Sequence, residues 1–185
     1  MILREGKKDM VKVGPYNIDL VPQKSWGKSL YQLARTKSSG FRSIWDRIRE
    51  RELERCGYKC EICGTSGEKG ELLCHEKWCY DESDYTQRLT GYEVVCKNCN
   101  LILHIGRTSV IGLVDRAVAH FQSVTGLGKN ELIKGVNEAK AEWLARSTHT
   151  WKIDISSDPL ARKFEKQINN LSNDGLHRTT HMAQS

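Results

Sequence analysis

Four of the seven cysteines stand in two Cys-x-x-Cys pairs: Cys60 with Cys63, and Cys96 with Cys99. Two such pairs supply four thiolates at the corners of a tetrahedron, which is the arrangement that Zn²⁺ takes in structural sites. Four thiolates leave no coordination position for water or substrate, so we expect this zinc to stabilise the fold and not to catalyse. The other three cysteines are expected to be free thiols: Cys56, Cys74 and Cys79.

Two histidines and an asparagine lie close to these pairs. His75 falls in an apolar run that predicts a strand over residues 71–80, and Asn100 and His104 follow the second pair at helical spacing i, i+4. A histidine that takes a proton from water, together with Mg²⁺ or Mn²⁺ beside the phosphate, is what phosphodiester hydrolysis needs. The alternative is that His75 and His104 are hydrogen-bonded histidines of a zinc-ribbon module.

The elements that position these residues follow from local patterns. A second strand is predicted over residues 92–96, joined to the first through an acidic turn over 81–85, so the cysteine pairs enclose a β-hairpin. Zinc would then hold the start of the hairpin against the start of the following helix. Cys74 and Glu76 flank His75, and in an extended strand both point to the face opposite it.

Helical periodicity predicts the remaining elements. Apolar residues at helical spacing predict amphipathic helices beginning near Phe41, over 110–121 and over 130–146, the first of them ending at Gly57. Alternation predicts a strand over 151–155. We expect one domain with a single core: an extended arm over 1–39, a zinc domain over 40–158, and a polar tail over 159–185 whose last residues, 172–185, are mobile.

Composition limits the class of protein. The 185 residues carry 29 basic and 23 acidic side chains, a modest basic excess that favours a polyanionic partner. No run of about 18 apolar residues predicts a membrane span, and the first ten residues do not resemble a secretory signal. Because unpaired cysteines and thiolate metal sites suit a reducing compartment, a cytoplasmic location is expected.

Several phrases between residues 20 and 156 resemble a bacterial and phage family of HNH endonuclease-like proteins: LVPQKSWGKSL, WDRIRERELERCGYKCEICG, LLCHEKWCYDE, QRLTGYEVVCKNCNLILHIGR, AHFQSVTG and AEWLARSTHTWKIDIS. The resemblance implies an α+β fold with a small zinc-stabilised ββα-metal core of the treble-clef type and flanking helices. It also implies a DNA substrate, His75 as general base, and a hard metal held by His104 with Asn100 or Glu76. Cys74 stands where such enzymes often keep a metal ligand.

The sequence departs from the family pattern at two positions. Asn100 replaces the histidine that usually follows the last knuckle cysteine, and Gly91 falls near the asparagine that commonly orients the base. Two hypotheses therefore stand: a DNA endonuclease that uses Mg²⁺ or Mn²⁺, and a catalytically degraded HNH scaffold. The degraded scaffold would bind nucleic acid or a protein partner, for example in conflict between phage and host. The sequence leaves the oligomeric state open.

Three further interpretations concern single residues. Arg107 is a candidate phosphate contact, because a guanidinium matches phosphate geometry. His120, which precedes Phe121 on an apolar helix face, is interpreted as a hydrogen-bonded core histidine. Four tryptophans are interpreted as core anchors: Trp26, Trp78, Trp143 and Trp151.

Overall fold

The computed structural model describes residues 7–8, 11–18, 20–36, 39–68, 70–166 and 168. The fold is mixed α+β, with 50% helix and 21% strand, which confirms the expected class. Six strands are described: β1 (Lys7–Lys8), β2 (Val11–Val13), β3 (Tyr16–Ile18), β4 (Leu72–Asp81), β5 (Thr86–Cys96) and β6 (Lys152–Asp154). Six α-helices are described: α1 (Leu30–Thr36), α2 (Ser39–Arg55), α3 (Lys97–Leu103), α4 (Ile105–Val110), α5 (Val114–Thr125) and α6 (Lys129–Ser147). In this part of the chain, no helix has the length and apolar character needed to cross a membrane.

The long β4–β5 hairpin is the centre of the main sheet, whose strand order is β1-β4-β5-β6. β1 and β5 lie antiparallel to β4, whereas β6 is parallel to β5. The register places His75 opposite Glu93 and Lys77 opposite Gly91, with a bulge between Lys77 and Trp78. The hairpin therefore matches the sequence prediction, although β5 begins six residues earlier than predicted.

The core divides into two clusters, where the sequence predicted one. One cluster joins α1 and α2 to residues of β4 and β5, including Trp78 and Tyr80. The other joins β3 and α3 to α5 and α6, including Tyr16 and Phe121. Because side chains alternate along a strand, the two faces of the hairpin can each bury a separate apolar set. His75 thus lies on a strand, β4, that is packed on both faces.

The N-terminal part of the chain is more structured than the predicted extended arm over 1–39. β2 and β3 pair as a hairpin through a turn in which Gly14 has φ 56°, a conformation that favours glycine. This hairpin packs directly on α6, where a Cβ added at Gly135 would overlap Cγ2 of Val13. The arm therefore belongs to the core of the domain, because Tyr16 and Ile18 are buried in it.

The C-terminal part also differs from the prediction of a tail beginning at residue 159. A short 3₁₀ helix spans Ala161–Phe164, and Ala161, Phe164 and Ile168 are all buried against the cluster that contains α1 and α2. Although the segment is mainly polar in composition, these three apolar residues pack it against the domain. The predicted mobile residues, 172–185, lie outside the described part of the chain.

Candidate metal centre and histidine pair

The four paired cysteines come from two tight local structures. Cys60 and Cys63 lie in the loop after α2, which is closed by a 2.9 Å bond from the Gly64 amide to the Cys60 carbonyl. Cys96 ends β5 and caps α3, where its Sγ accepts the Cys99 amide at 3.4 Å. The hairpin brings the second structure beside the first, because the Glu61 amide donates to the Val94 carbonyl at 2.8 Å.

The sulfur geometry fits one metal ion. All four Sγ atoms lie within 4.8 Å of one another, and Sγ of Cys63 lies 3.7 Å from Sγ of Cys96. A tetrahedron with Zn–S bonds of about 2.3 Å has sulfur–sulfur edges of about 3.8 Å. The cluster can therefore hold a structural metal such as zinc.

The pKa values of two of the thiols are shifted within the cluster. The hydrogen bond from Cys99 lowers the pKa of Cys60 to about 4, whereas the same bond and burial raise the pKa of Cys99 above its ordinary value. A metal ion would displace the proton of the Cys99 thiol, since zinc binds thiolates. No coordination position remains for a substrate, which agrees with a structural role.

A histidine and a tyrosine from outside the hairpin also contact the cluster. Nε2 of His120 lies 3.1 Å from Sγ of Cys99, and the Tyr16 hydroxyl lies 3.5 Å from the same atom. His120 is thus half-buried at the metal centre, and it is a hydrogen-bond partner of Cys99 in addition to being a helix-face residue beside Phe121. No sequence signal pointed to this contact, because α5 reaches the cysteines only through tertiary packing.

We predict that His120→Phe weakens metal binding about tenfold, because hydrogen bonds to metal ligands contribute 10- to 100-fold to affinity. The measurement is competition for zinc with a chromophoric chelator. His120→Gln, which retains an N–H donor, is the matched control and should remain near the wild type. Equal affinity for all three proteins would show that the contact does not support the metal.

His75 and His104 lie against each other. Their ring centroids are 4.8 Å apart at an interplanar angle of 71°, and both side chains are half-buried. Burial and the neighbouring His104 lower the pKa of His75 to about 3, and burial and Arg107 lower the pKa of His104. Both rings are therefore neutral near pH 7, the form that accepts a proton or binds a cation.

A cavity of about 10 Å³ adjoins His75, which is room for one water molecule. Among the residues that line it are Asn17, Lys77, Glu93 and Leu103. Glu93 is the cross-strand partner of His75, and burial raises its pKa above the ordinary range. Sequence reasoning missed Asn17 and Glu93, because only the strand register and the packing of β3 bring them to His75.

Glu76 also lines this cavity, but its carboxylate is directed away from His75 to α1, as strand alternation predicted. Its buried carboxylate accepts the backbone amides of Leu30 at 3.2 Å and Tyr31 at 2.9 Å, and so caps α1. Burial raises the pKa of Glu76 to about 7 against the bonds from these two amides. Both oxygens of Glu76 thus accept amides of α1, and its role as a catalytic residue or metal ligand stays a prediction.

We predict that Glu76→Gln removes a loss of stability that the wild type undergoes as pH rises from about 4.5 to 7. In this window the folded protein holds a proton on Glu76 that the unfolded chain has released, so rising pH favours unfolding by about 3 kcal/mol. The depressed pKa values of His75 and His104 act in the opposite sense below pH 6.5. The measurement is the urea midpoint of variant and wild type at several pH values from 4.5 to 8. The difference between the two proteins isolates the contribution of Glu76, because the histidines are common to both. A difference that does not change with pH would contradict the titration of Glu76.

The other candidate residues fall into two groups. Asn100 is half-buried on α3, and its backbone carbonyl accepts the His104 amide at 3.0 Å, while Arg107 is exposed on α4. Asn100 and Arg107 therefore both lie near His104. Cys74 instead packs with the α1–α2 cluster, where burial raises its pKa to about 12, so it does not serve the His75 site. Gly91 has φ 145° beside the strand bulge, which gives it a conformational role.

Over the described residues, the four cysteines are the one group of three or more His, Cys, Asp or Glu side chains whose ligand atoms meet. Comparison with protein-family models, curated proteins and solved structures found no match. Inferences about the chemistry of this chain therefore rest on its own geometry.

Proposed function

We propose that the protein is a metal-dependent HNH-type endonuclease that hydrolyses DNA phosphodiester bonds, with His75 as general base. The observation that carries the proposal is the 4.8 Å contact between His75 on the hairpin and His104 at the end of α3. With a metal bound, the cysteine cluster would hold together the ends of these two elements. A cysteine loop, a hairpin and a helix in this order are typical of a treble-clef ββα-metal core.

The roles of the residues follow from their environment. His75, neutral and beside a cavity of one-water size, would accept the proton of the attacking water. His104 and Asn100 would hold Mg²⁺ or Mn²⁺, and Arg107 would contact a phosphate. Two protein ligands are sufficient for such a cation, which keeps several waters and takes phosphate oxygens. When bound, the cation would stabilise negative charge on the phosphate and the leaving oxygen.

We predict that His75→Ala lowers the rate of supercoiled plasmid nicking by 10²- to 10⁴-fold, the usual contribution of a general base. Zinc-loaded protein is assayed with Mg²⁺, Mn²⁺ or EDTA. In His75→Gln the side chain fills more of the space than alanine does but cannot act as a base. This variant should therefore nick as slowly as His75→Ala. His149→Ala, which removes a histidine stacked on Tyr85 near the far end of the hairpin, is the control and should nick normally.

Zinc content and thermal midpoint are measured for each variant so that loss of folding is not mistaken for loss of base. Metal-dependent nicking that survives in a folded His75→Ala protein would exclude His75 as the base. Absence of nicking by folded wild type with every metal would overturn the nuclease proposal.

The second candidate function is a catalytically degraded HNH scaffold that binds nucleic acid or a protein. The placement of Glu76 and Cys74 favours it, because the Glu76 carboxylate accepts amides of α1 and Cys74 packs with the α1–α2 cluster. In this case His75→Ala should leave affinity for the partner unchanged. The wild type would then show no cleavage but measurable binding.

A further inference from the structure

Residues 20–36 form a basic surface without acidic side chains. This stretch contains Lys24, Lys28 and Arg35 and no Asp or Glu. None of the three cations forms an ion pair with a carboxylate among the described residues. The carboxylate of Glu76 does reach the segment, but it is buried beneath α1 and accepts backbone amides. The positive charge is therefore left available to a polyanion.

Two aromatic rings are exposed in the same segment. Trp26 is 62% exposed, which overturns its interpretation as a core anchor, and Tyr31 is 45% exposed. The indole N–H of Trp26 donates to the Val21 carbonyl at 2.8 Å, which fixes the ring while leaving much of its surface in solvent. Arg35 donates to the Tyr31 hydroxyl at 2.9 Å and lies over its ring.

The segment is held in place by α6. The Trp143 indole donates to the Val21 carbonyl at 3.0 Å, the Gln23 amide to Ser147 Oγ at 3.2 Å, and the Lys24 ammonium to the Thr148 carbonyl at 2.9 Å. These bonds fix the start of the segment before any ligand arrives. A fixed surface loses less conformational freedom when it binds than a flexible one.

The start of the surface lies near one member of the histidine pair. Leu20 packs beside Gly106, two residues after His104, whereas the Tyr31 amide bonds to Glu76 on the face of β4 opposite His75. A strand bound at the start of residues 20–36 would therefore run close to His104.

The arginine face of α2 is a contrasting case. Arg51 bonds to Glu52 and Asp158, and Arg55 bonds to Glu52 and Glu61. These bonds neutralise the two arginines that line a surface groove of about 400 Å³ on that side. Phosphates would gain little from these two arginines, so residues 20–36 are the better surface for nucleic acid.

We propose that residues 20–36 are a docking surface for single-stranded nucleic acid, on which unpaired bases stack on Trp26 and Tyr31 while phosphates contact Lys24, Lys28 and Arg35. The proposal rests on the proposed function for the place of the scissile bond, whereas binding itself is independent of cleavage. Exposed aromatic faces favour unpaired bases, because bases within a duplex are already stacked on one another.

The test is fluorescence anisotropy of a labelled dT20 oligonucleotide with full-length, zinc-loaded protein in buffer without Mg²⁺ or Mn²⁺. Trp26→Ala and Tyr31→Ala should each weaken binding about 5- to 150-fold, the range that loss of one stacked base produces. Trp26→Phe retains a ring and should bind within a few-fold of the wild type. A duplex of the same length should bind more weakly than dT20.

Charge is tested by a triple variant, Lys24→Gln, Lys28→Gln and Arg35→Gln. Loss of three phosphate contacts should lower the slope of log Kd against log salt concentration by about 2. The matched control removes the same charge from α6, at Lys129, Lys134 and Lys140, and should leave the slope nearly unchanged. Equal slopes for both triple variants, or wild-type affinity of Trp26→Ala, would overturn the proposal.

Binding and cleavage outcomes separate the two proposals. Tight dT20 binding that depends on Trp26, from a protein that never nicks plasmid, would support this surface and overturn the nuclease proposal. Nicking that is lost in His75→Ala but kept in Trp26→Ala, together with unchanged dT20 binding by Trp26→Ala, would support the nuclease proposal and overturn this surface.

Discussion

Replacing Cys99 by serine is expected to unfold most of the domain and to abolish zinc binding. Cys99 is fully buried between Cys60, Tyr16 and His120. Its replacement therefore removes one of the four thiolates from a metal centre that lies inside the core. A structural zinc contributes an apparent 10–16 kcal/mol to folding, which is comparable to the whole stability of a typical domain. Far-UV circular dichroism and the zinc-to-protein ratio measure the effect.

The matched control is Cys79→Ser, which changes a half-buried cysteine outside the cluster. It should keep one zinc and lose little stability. Removal of zinc from the wild type with a strong chelator should reproduce the Cys99→Ser spectrum. A variant that stays fully folded without metal would show that packing alone maintains the hairpin and α3.

Phe164→Ala is expected to lower the free energy of unfolding by about 3–5 kcal/mol, the range for a buried phenylalanine. The Phe164 ring is fully buried, and its centroid lies 5.1 Å from that of Phe41 on α2. The variant would leave a cavity between α1, α2 and the C-terminal 3₁₀ helix. Urea denaturation at fixed pH measures the loss.

Glu165→Ala is the control, because the next residue in the chain is exposed. A surface change of this kind should alter stability by no more than about 0.5 kcal/mol. If Phe164→Ala were as mild as Glu165→Ala, the segment after residue 159 would behave as the detached tail that its composition suggests.

Features that depend on local spacing could be predicted from the sequence. The two cysteine pairs, the hairpin between them and the long helices α2 and α6 follow from short-range patterns of ligands, alternation and periodicity. The opposite orientation of His75 and Glu76 follows from strand geometry alone. The helix predicted over 110–121 lies four residues later, because Gly112, with φ 72°, separates α4 from α5.

Features that depend on tertiary packing could not be predicted. The contact of His120 with Cys99 requires α5 to pack against α3, and the position of Glu93 opposite His75 requires the register of the hairpin. Trp26 is interpreted as a core anchor from the sequence, yet its indole bonds to a nearby carbonyl and leaves the ring in solvent. Phe164 lies in a polar context that gives no sign of its burial.

The unequal strand lengths of the main sheet have a consequence for contacts between molecules. β4 and β5 have 10 and 11 residues, whereas the outer strands β1 and β6 have only two and three. Long, flat outer strands would present a row of unpaired amides and carbonyls to another chain. Here the outer strands are short over the described residues, and three of their five residues are lysines: Lys7, Lys8 and Lys152. These two outer strands are thereby poorly suited to continue the sheet from one molecule into the next.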